Sequence, residues 1–352
     1  MKLNHRIPGF LILAFLFAQT ACIDEISFDR DVNAGILVVE GSIHNGPPPY
    51  YLRLGQTYTE QNVPLPLDEA SIVLFDSEGN SESFVNTSNG LYTLHGDVIQ
   101  GTKGRYYHIE IELPDGRTFE SIPEMIPHQT PTGTVRAVPS RIEEQTASGG
   151  VRRVNVVNVF AGSEYPESQD EQYFNLQAEG LYMFREEFPI SPLDPPPNVC
   201  FVTETPDPQR INLMSLPPGE SMEIPNQLIA IKRIEGHEFF FRYYFNLVFY
   251  SISERRFRYW EQTNTLINQS GTIFDIPPAR ISGNVVNTDN SQENALGYFQ
   301  AAATDTVRTF LTRADFRFHI SDPCASNNPN RHSGCSDCTS IENSTLDRPS
   351  YF

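Results

Sequence analysis

Four cysteines in the second half of the chain are the residues best suited to chemistry: Cys200, Cys324, Cys335 and Cys338. A fifth, Cys22, follows an N-terminal apolar run and has a separate interpretation below. An even number of cysteines in an exported chain predicts two disulfides, and four cysteines allow three pairings. Two such cross-links would hold the C-terminal segment against the body of the protein.

A metal site is the alternative for the same cysteines. Cys335 and Cys338 have the C-x-x-C spacing of a zinc knuckle, and His332 lies close to them in the sequence. A structural zinc site normally takes a second close pair, whereas Cys324 stands alone upstream. A redox-active C-x-x-C needs a thioredoxin-like βαβ setting, which the sequence does not show. We therefore predict disulfides, with no metal and no cofactor.

Catalytic signatures are missing from the sequence. It contains no Gly-x-Ser-x-Gly elbow, no His-Glu-x-x-His, no phosphate-binding glycine loop and no dinucleotide fingerprint. Acidic pairs such as Glu143-Glu144 stand in polar contexts, which indicates solvated charge. The two carboxylates of a glycosidase meet only in the folded chain, so the sequence leaves that class open. We predict no catalytic residues and a protein that is not an enzyme.

The N-terminus predicts export and lipidation. Residues 1–21 hold two basic residues and the apolar run Ile7–Ala18, which has the length of a signal-peptide core. Small residues then precede Cys22, as in lipoprotein processing, although Gln19 stands where an apolar residue is usual. We predict Cys22 as the lipid attachment point and residues 22–34 as a tether. The alternative is an ordinary secretory signal, in which Cys22 is an incidental thiol.

The charge of the chain excludes some partners. The formal net charge is −19 over 352 residues, whereas nucleic acid or anionic lipid headgroups would need a basic face. We therefore predict no nucleic acid partner, and we expect the lipid anchor to provide the membrane attachment. The length suits two domains.

The elements that carry these residues are predicted to be mainly β. Residues 35–127 have short alternating strands between turns such as Asp76–Asn80, which predicts an immunoglobulin-like β-sandwich. Residues 128–322 predict a larger β-rich domain, in which the alternating Phe239–Tyr250 forms a long central strand. Residues 323–352 form a disulfide-stapled, Cys-containing C-terminal tail.

Two further predictions concern the second domain. Strands are expected over residues 132–138 and 152–160, on either side of a polar loop at 140–150. The proline-rich stretch Pro189–Pro218 shows little periodicity and contains Cys200. It is the best candidate for a binding surface, with structural packing of an irregular excursion as the alternative.

One amphipathic helix is predicted over Ser253–Ile267, with Ser251 or Ser253 as its N-cap. Trp260, the only tryptophan, shares a face with Phe257 and Ile267, and the arginines of the helix, Arg256 among them, lie elsewhere around it. We therefore predict Trp260 as a largely buried core anchor. It would pack against the Pro277-Pro278 corner and the strand that begins at Gly297-Tyr298-Phe299. The alternative is an exposed stacking platform for a sugar or a peptide.

The order of these motifs resembles a known family. A Tyr-Trp helix, Pro-Pro, Gly-Asn-Val and Leu-Gly-Tyr-Phe follow one another, with VVEGSI near the start and Cys-Ser-Asp-Cys-Thr near the end. This pattern is similar to domain of unknown function 4249 of Bacteroidetes outer-membrane lipoproteins. The resemblance implies an outer-membrane, lipid-anchored protein, exposed at the cell surface.

The resemblance also implies a function. Members of the family resemble accessory proteins of TonB-dependent receptors, so we expect a non-catalytic binding and docking partner of such a barrel. A structural subunit of an outer-membrane assembly complex is the second hypothesis. A surface hydrolase, with carboxylates that converge only in the fold, is the third.

Overall fold

The computed structural model describes residues 35–58, 61–146, 149–187, 196–269, 281–290, 293–325, 327–328 and 331–352. The predicted signal peptide, Cys22 and the tether lie outside these ranges. Within them the protein is mainly β, as predicted, with one α-helix, α1 (Glu254–Gln269). No helix among the described residues combines the length and the apolar character that crossing a membrane requires.

Twenty strands are described. In chain order they are β1 (Leu37–His44), β2 (Tyr50–Tyr58), β3 (Gln61–Pro66), β4 (Ser71–Asp76), β5 (Ser81–Ser83), β6 (Val85–Ser88), β7 (Leu91–Leu94), β8 (Tyr106–Glu112), β9 (Thr118–Ser121), β10 (Glu124–Met125), β11 (Thr132–Gln145), β12 (Val151–Tyr165), β13 (Gln172–Arg185), β14 (Val199–Glu204), β15 (Asn212–Leu216), β16 (Met222–Arg233), β17 (Arg242–Ile252), β18 (Val285–Asn287), β19 (Leu296–Thr312) and β20 (Ser344–Thr345).

An eleven-stranded sheet is the centre of the protein. Its strand order is β20-β14-β13-β17-β19-β1-β2-β7-β6, with β15 beside β13 and β3 beside β2. Successive side chains of a strand point to opposite faces. One face, here called the apolar face, carries Phe174, Leu176, Phe245, Phe249 and Phe299, all of which are buried. The other, here called the polar face, carries the residues between them.

A six-stranded sheet covers the first half of the apolar face. Its order is β18-β9-β8-β4-β5, with β10 beside β8. It packs on β1, β2, β7 and the start of β19, which gives the predicted N-terminal sandwich. Burial of each large apolar side chain contributes about 1.5–3 kcal/mol. The core side chains include Leu37, Val39, Leu52, Leu54, Ile72, Leu74, Ile109, Ile111 and Phe299.

A three-stranded sheet, β11-β12-β16, covers the second half of the apolar face. Val157, Val159 and Ala161 of β12 are fully buried against the aromatic side chains of β13 and β17. Because both smaller sheets lie on the same face, the polar face is left to α1, the loops and solvent.

The two halves are joined within the large sheet. Strand β1 pairs in parallel with β19, with Val38 opposite Leu296 and His44 opposite Ala302. The sandwich core also contains Val285 and Phe299, which come from the far end of the chain. The predicted boundary between residues 127 and 128 therefore divides the chain but does not divide the sheet.

Two predicted turns have the expected chemistry. At the β4–β5 turn the Asp76 carboxylate accepts backbone hydrogen bonds from Glu78 and Asn80, each at 2.9 Å. Gly79 then has a φ of 88° and Gly116, in the β8–β9 turn, a φ of 87°. This left-handed conformation favours glycine because a Cβ would be strained there.

Several predicted boundaries are wrong. The long central strand is β17, which starts at Arg242 because a short 3-10 turn, His237–Phe239, comes first. The expected polar loop at 140–150 is mostly strand. There, cross-strand ion pairs between Arg153 and Glu143 (3.1 Å) and between Arg152 and Glu144 (3.2 Å) favour the pairing of solvated residues.

Candidate functional site

Helix α1 begins at Ser253, one of the two predicted caps. The Ser253 hydroxyl accepts a hydrogen bond from the Arg256 backbone N–H at 3.1 Å, which satisfies a donor at the start of the helix. Phe257 is buried and packs on Tyr173 of the polar face, with the ring centroids 5.1 Å apart. Arg256 and Trp260 are four residues apart, so they lie on one side of the helix.

Arg256 is held in one orientation by aromatic rings. Its guanidinium carbon lies 4.6 Å from the ring centroids of both Trp260 and Tyr298 and 5.1 Å from that of Tyr259. Its Nε donates a hydrogen bond to Gln300 Oε1 at 2.8 Å. Its two terminal nitrogens have neither a hydrogen bond nor an ion pair with any residue that the structure describes.

Strands β1 and β19 position the neighbours of Arg256. In the parallel register Tyr298 lies opposite Glu40, and Gln300 lies opposite Ser42. Strand β2 adds Arg53, which is the antiparallel partner of Glu40. Alternation along each strand places these five residues on the polar face.

Strand β13 supplies a second set of polar side chains. Asn175, Gln177 and Glu179 alternate with Leu176 and therefore lie on the polar face. On one edge β13 pairs with β15 up to Leu176 and with β14 from Gly180 onwards. Residues 177–179 have no partner among the described strands on that edge. The sheet is open there.

These residues line a cleft of about 630 Å³. Its wall includes side chains from β1, β2, β13, β19, α1 and the β14–β15 loop. Strands β1 and β13 are separated in the sheet by β17 and β19 but line the same cleft, so the polar face is concave. Two lining atoms are buried without a hydrogen-bond partner, namely Asn175 Oδ1 and Trp260 Nε1. Such orphaned atoms are uncommon in folded proteins.

The cleft contains desolvated charges of both signs. Burial raises the pKa of Glu179, and the nearby Arg308 opposes this shift. Burial also lowers the pKa of Arg256, although a guanidinium stays charged in proteins. The pKa of Tyr250 is raised by burial and by Glu179, whereas Arg256 lowers it. Both charges therefore act on one buried hydroxyl.

The arrangement suits binding of a small polar molecule. Ligand pockets usually measure about 300–1,000 Å³ and present a few fixed polar groups. Here Arg256 offers donors and Glu179 offers an acceptor. Two further carboxylates, Glu40 and Asp207, also line the cleft, and Asp207 is engaged with Arg210 at 3.2 Å. In the described ranges no group of three or more His, Cys, Asp or Glu side chains has the geometry to hold a metal ion.

The four C-terminal cysteines form two disulfides, as predicted. The bonds are Cys200–Cys338 and Cys324–Cys335, with Cα–Cα distances of 5.9 and 5.4 Å. Cys335 and Cys338 thus have different partners, so they form neither a zinc knuckle nor a redox pair with each other. All four lie in the core beneath the three-stranded sheet, outside the cleft lining.

Trp260 is half-buried at the rim of the cleft and packs against the cluster of Tyr173, Ile252 and Phe257. Arg256 lies between it and Tyr298. The predicted Pro277-Pro278 contact lies outside the described residues. The predicted apolar face of the helix does not continue to its end. In its last turn Ile267 is 37% exposed.

Part of Pro189–Pro218 does contribute to the cleft. The stretch is less irregular than predicted, because it contains β14 and β15, whose pairing with β13 is set by tertiary contacts. The β14–β15 loop provides Thr205, Asp207 and Arg210 to the cleft wall.

The main residues of the cleft were not identified from the sequence. The helical pattern predicts Arg256 away from the face of Trp260, but the structure places its guanidinium between the rings of Trp260 and Tyr298. Its spacing of four from Trp260 was the available signal. Asn175 and Glu179 gave a weaker one, as polar residues alternating with apolar ones in a strand. Cys22 lies outside the described residues, so lipidation stays a prediction.

Comparisons with known proteins give a family and little more. No curated protein matches the chain. A solved structure described as the BSP domain of a biofilm-associated protein aligns over 78% of this chain at 7% identity, with a TM-score of 0.14. The chain spans 59% of the length of that structure. The family model described as Domain of unknown function (DUF4249) matches residues 23–308. The protein therefore belongs to the DUF4249 family.

Proposed function

We propose that the protein is a non-catalytic, lipid-anchored outer-membrane protein that binds a ligand in the cleft. It acts as an accessory partner of a TonB-dependent receptor at the cell surface. The observation that carries this proposal is the cleft itself. The Arg256 guanidinium lines it, and its terminal N–H groups have no hydrogen-bond partner among the described residues that would compete with a ligand.

The disulfides support the proposal that the protein is exported. Both cross-links, Cys200–Cys338 and Cys324–Cys335, belong to core positions, and stable disulfides are typical of exported proteins. Acylation of Cys22 would then fix the protein to the membrane, since each buried methylene contributes about 0.8 kcal/mol.

Co-purification tests the proposal. The tagged full-length protein is extracted from membranes in mild detergent, and bound proteins are identified by mass spectrometry. We expect a TonB-dependent receptor in near-stoichiometric amount. The control is Cys22→Ala, which should release a soluble protein with both disulfides intact. Recovery of no barrel, or a Cys22→Ala variant that still fractionates with membranes, would contradict the proposal.

A second candidate, a structural subunit of an outer-membrane assembly complex, is favoured by the β11–β12 hairpin. Its outer part, residues 141–155, has no buried side chain among those described. It extends beyond the core as a ribbon held by pairs such as Arg152–Glu144. An isolated protruding ribbon is suited to docking on a large partner. The same co-purification would then recover an assembly barrel in place of a receptor.

A further inference from the structure

The hydrogen-bond donors at the Arg256 end of the cleft match a carboxylate. The guanidinium is fixed by the two rings and by Gln300, and its terminal N–H groups have no partner among the described residues. Guanidinium groups bind carboxylates through two parallel hydrogen bonds, which makes a carboxylate the best match for this set of donors.

The carboxylate at the Glu179 end of the cleft matches a cation that donates hydrogen bonds. The Glu179 carboxylate has no hydrogen bond and no ion pair with a described residue, and it is largely shielded from solvent. An ammonium group has three donors and no acceptor, so it matches this carboxylate.

The distance between the two ends sets the size of the ligand. Gln300, the hydrogen-bond partner of Arg256, lies on β19, and Glu179 is level with Arg308 of the same strand through Asn246 of β17. The eight residues of strand between these two levels span at most about 26 Å. An extended peptide covers about 3.3–3.6 Å per residue, so a peptide of up to about eight residues fits this distance.

A neutral ligand fits the cleft poorly. A neutral oligosaccharide would complete the burial of both charges without an ion pair, since Arg308 near Glu179, and Glu40 and Glu124 near Arg256, form no ion pair with them among the described residues. Burying an unpaired charge is strongly unfavourable, and a guanidinium does not escape the cost by losing its proton.

We infer that the cleft binds a short zwitterionic peptide, with its terminal carboxylate on Arg256 and its ammonium group on Glu179. This inference rests on the proposed function, of which it specifies the ligand. Alternate side chains of the peptide would face the open edge of β13 at residues 177–179 and the exposed Tyr51. The contacts to the termini are independent of side-chain type, so peptides of different sequence are expected to bind.

Tetra-alanine is the probe, and it is titrated into the full-length protein in detergent. Binding is followed by calorimetry and by the emission of Trp260, the only tryptophan of the chain. We expect saturable binding by the free peptide. Amidation of the C-terminus and acetylation of the N-terminus should each raise Kd at least tenfold, because each removes one charge-assisted contact. Mass spectrometry of the recovered peptide should find it intact.

Variants assign each end of the peptide. Arg256→Gln should bind weakly and lose its sensitivity to amidation, whereas Glu179→Gln should lose its sensitivity to acetylation. The matched controls are Arg258→Gln, on the exposed side of α1, and Glu164→Gln, exposed on β12. Both controls should retain the wild-type response to each blocked peptide.

Three outcomes would overturn the inference. They are no binding of tetra-alanine, equal binding of the free and doubly blocked peptides, and tighter binding of a neutral tetrasaccharide such as maltotetraose. The blocked peptides need no variant, so this test holds even where a substitution impairs folding. Recovery of a receptor barrel combined with failure to bind tetra-alanine would reject the peptide and leave the accessory role standing.

Discussion

The two faces of the eleven-stranded sheet differ although the same strands form both. On β13, Leu176 is 1% exposed and packs beneath the three-stranded sheet, whereas its neighbours Asn175 and Gln177 line the cleft. The period of two along a strand separates the residues that pack the core from those that line the cleft. The cleft lining can therefore change without disturbing the core that supports it.

Removing the disulfides should lower the free energy of unfolding most, because both of them join the C-terminal tail to the apolar core. The Cys200–Cys338 bond closes a separation of 138 residues and Cys324–Cys335 one of 11. From loop-closure entropy we expect Cys200→Ala/Cys338→Ala to cost about 5 kcal/mol and Cys324→Ala/Cys335→Ala about 3 kcal/mol. Urea unfolding of the two double variants measures this. Equal losses would mean that local packing dominates.

The contrast between the faces is tested directly by two adjacent residues. Leu176→Ala should lower the free energy of unfolding by about 2–5 kcal/mol, because it leaves a cavity in the core. Gln177→Ala, one residue further on, should change it by less than about 0.5 kcal/mol. Urea titration of the two proteins is the measurement. Similar losses for both would show that the polar face also carries the stability of the sheet.

Trp260 should have an intermediate effect. The ring is half-buried, so Trp260→Ala is expected to cost about 1–2 kcal/mol, less than the loss of a fully buried aromatic residue. Wild-type emission should be quenched in part by acrylamide and protected by a ligand in the cleft. A loss above about 3 kcal/mol, with emission insensitive to acrylamide, would instead place the ring in the core.

Glu179→Gln should change the free energy of unfolding least, and it should raise it where the other substitutions lower it. Burial raises the pKa of Glu179, so above that pKa the charged form destabilises the folded state. The variant should therefore be more stable than wild type at pH 7. Below the ordinary value of 4.5 the proton is bound in the folded and unfolded states alike, and the advantage should vanish. Urea midpoints at pH 7 and pH 4 test this, with Glu164→Gln as the control. A variant that is less stable at pH 7 would contradict it.

Local chemistry made part of this structure predictable. The Ser253 cap, the Asp76–Asn80 turn and the even number of cysteines act over a few residues or by simple counting. The alternation in β17 is equally local, although the chain before it turns once in a 3-10 conformation. The sequence does not determine which of the three disulfide pairings forms, because the pairing depends on which strands bring Cys200 close to the tail.

The cleft was beyond prediction because tertiary pairing creates it. Glu40 and Tyr298 become neighbours only through the parallel β1–β19 register. Arg256 has the same charge as the exposed Arg258 and lies on the same helix, and the positions of Trp260 and Tyr298 distinguish them. A polar residue within a strand shows which face it occupies, but it does not show whether that face is concave.

The parallel pairing of β1 with β19 also imposes an order on folding during synthesis. Asn45 and Thr304, which share a hydrogen bond at this junction, are 259 residues apart, so β1, the first strand that the structure describes, must wait for most of the chain. Until then β1 presents an open edge of the kind that promotes aggregation. A ribosome that stalls before residue 296 would release a chain whose sandwich lacks β19. An incomplete copy therefore exposes the edge that its missing strand would cover.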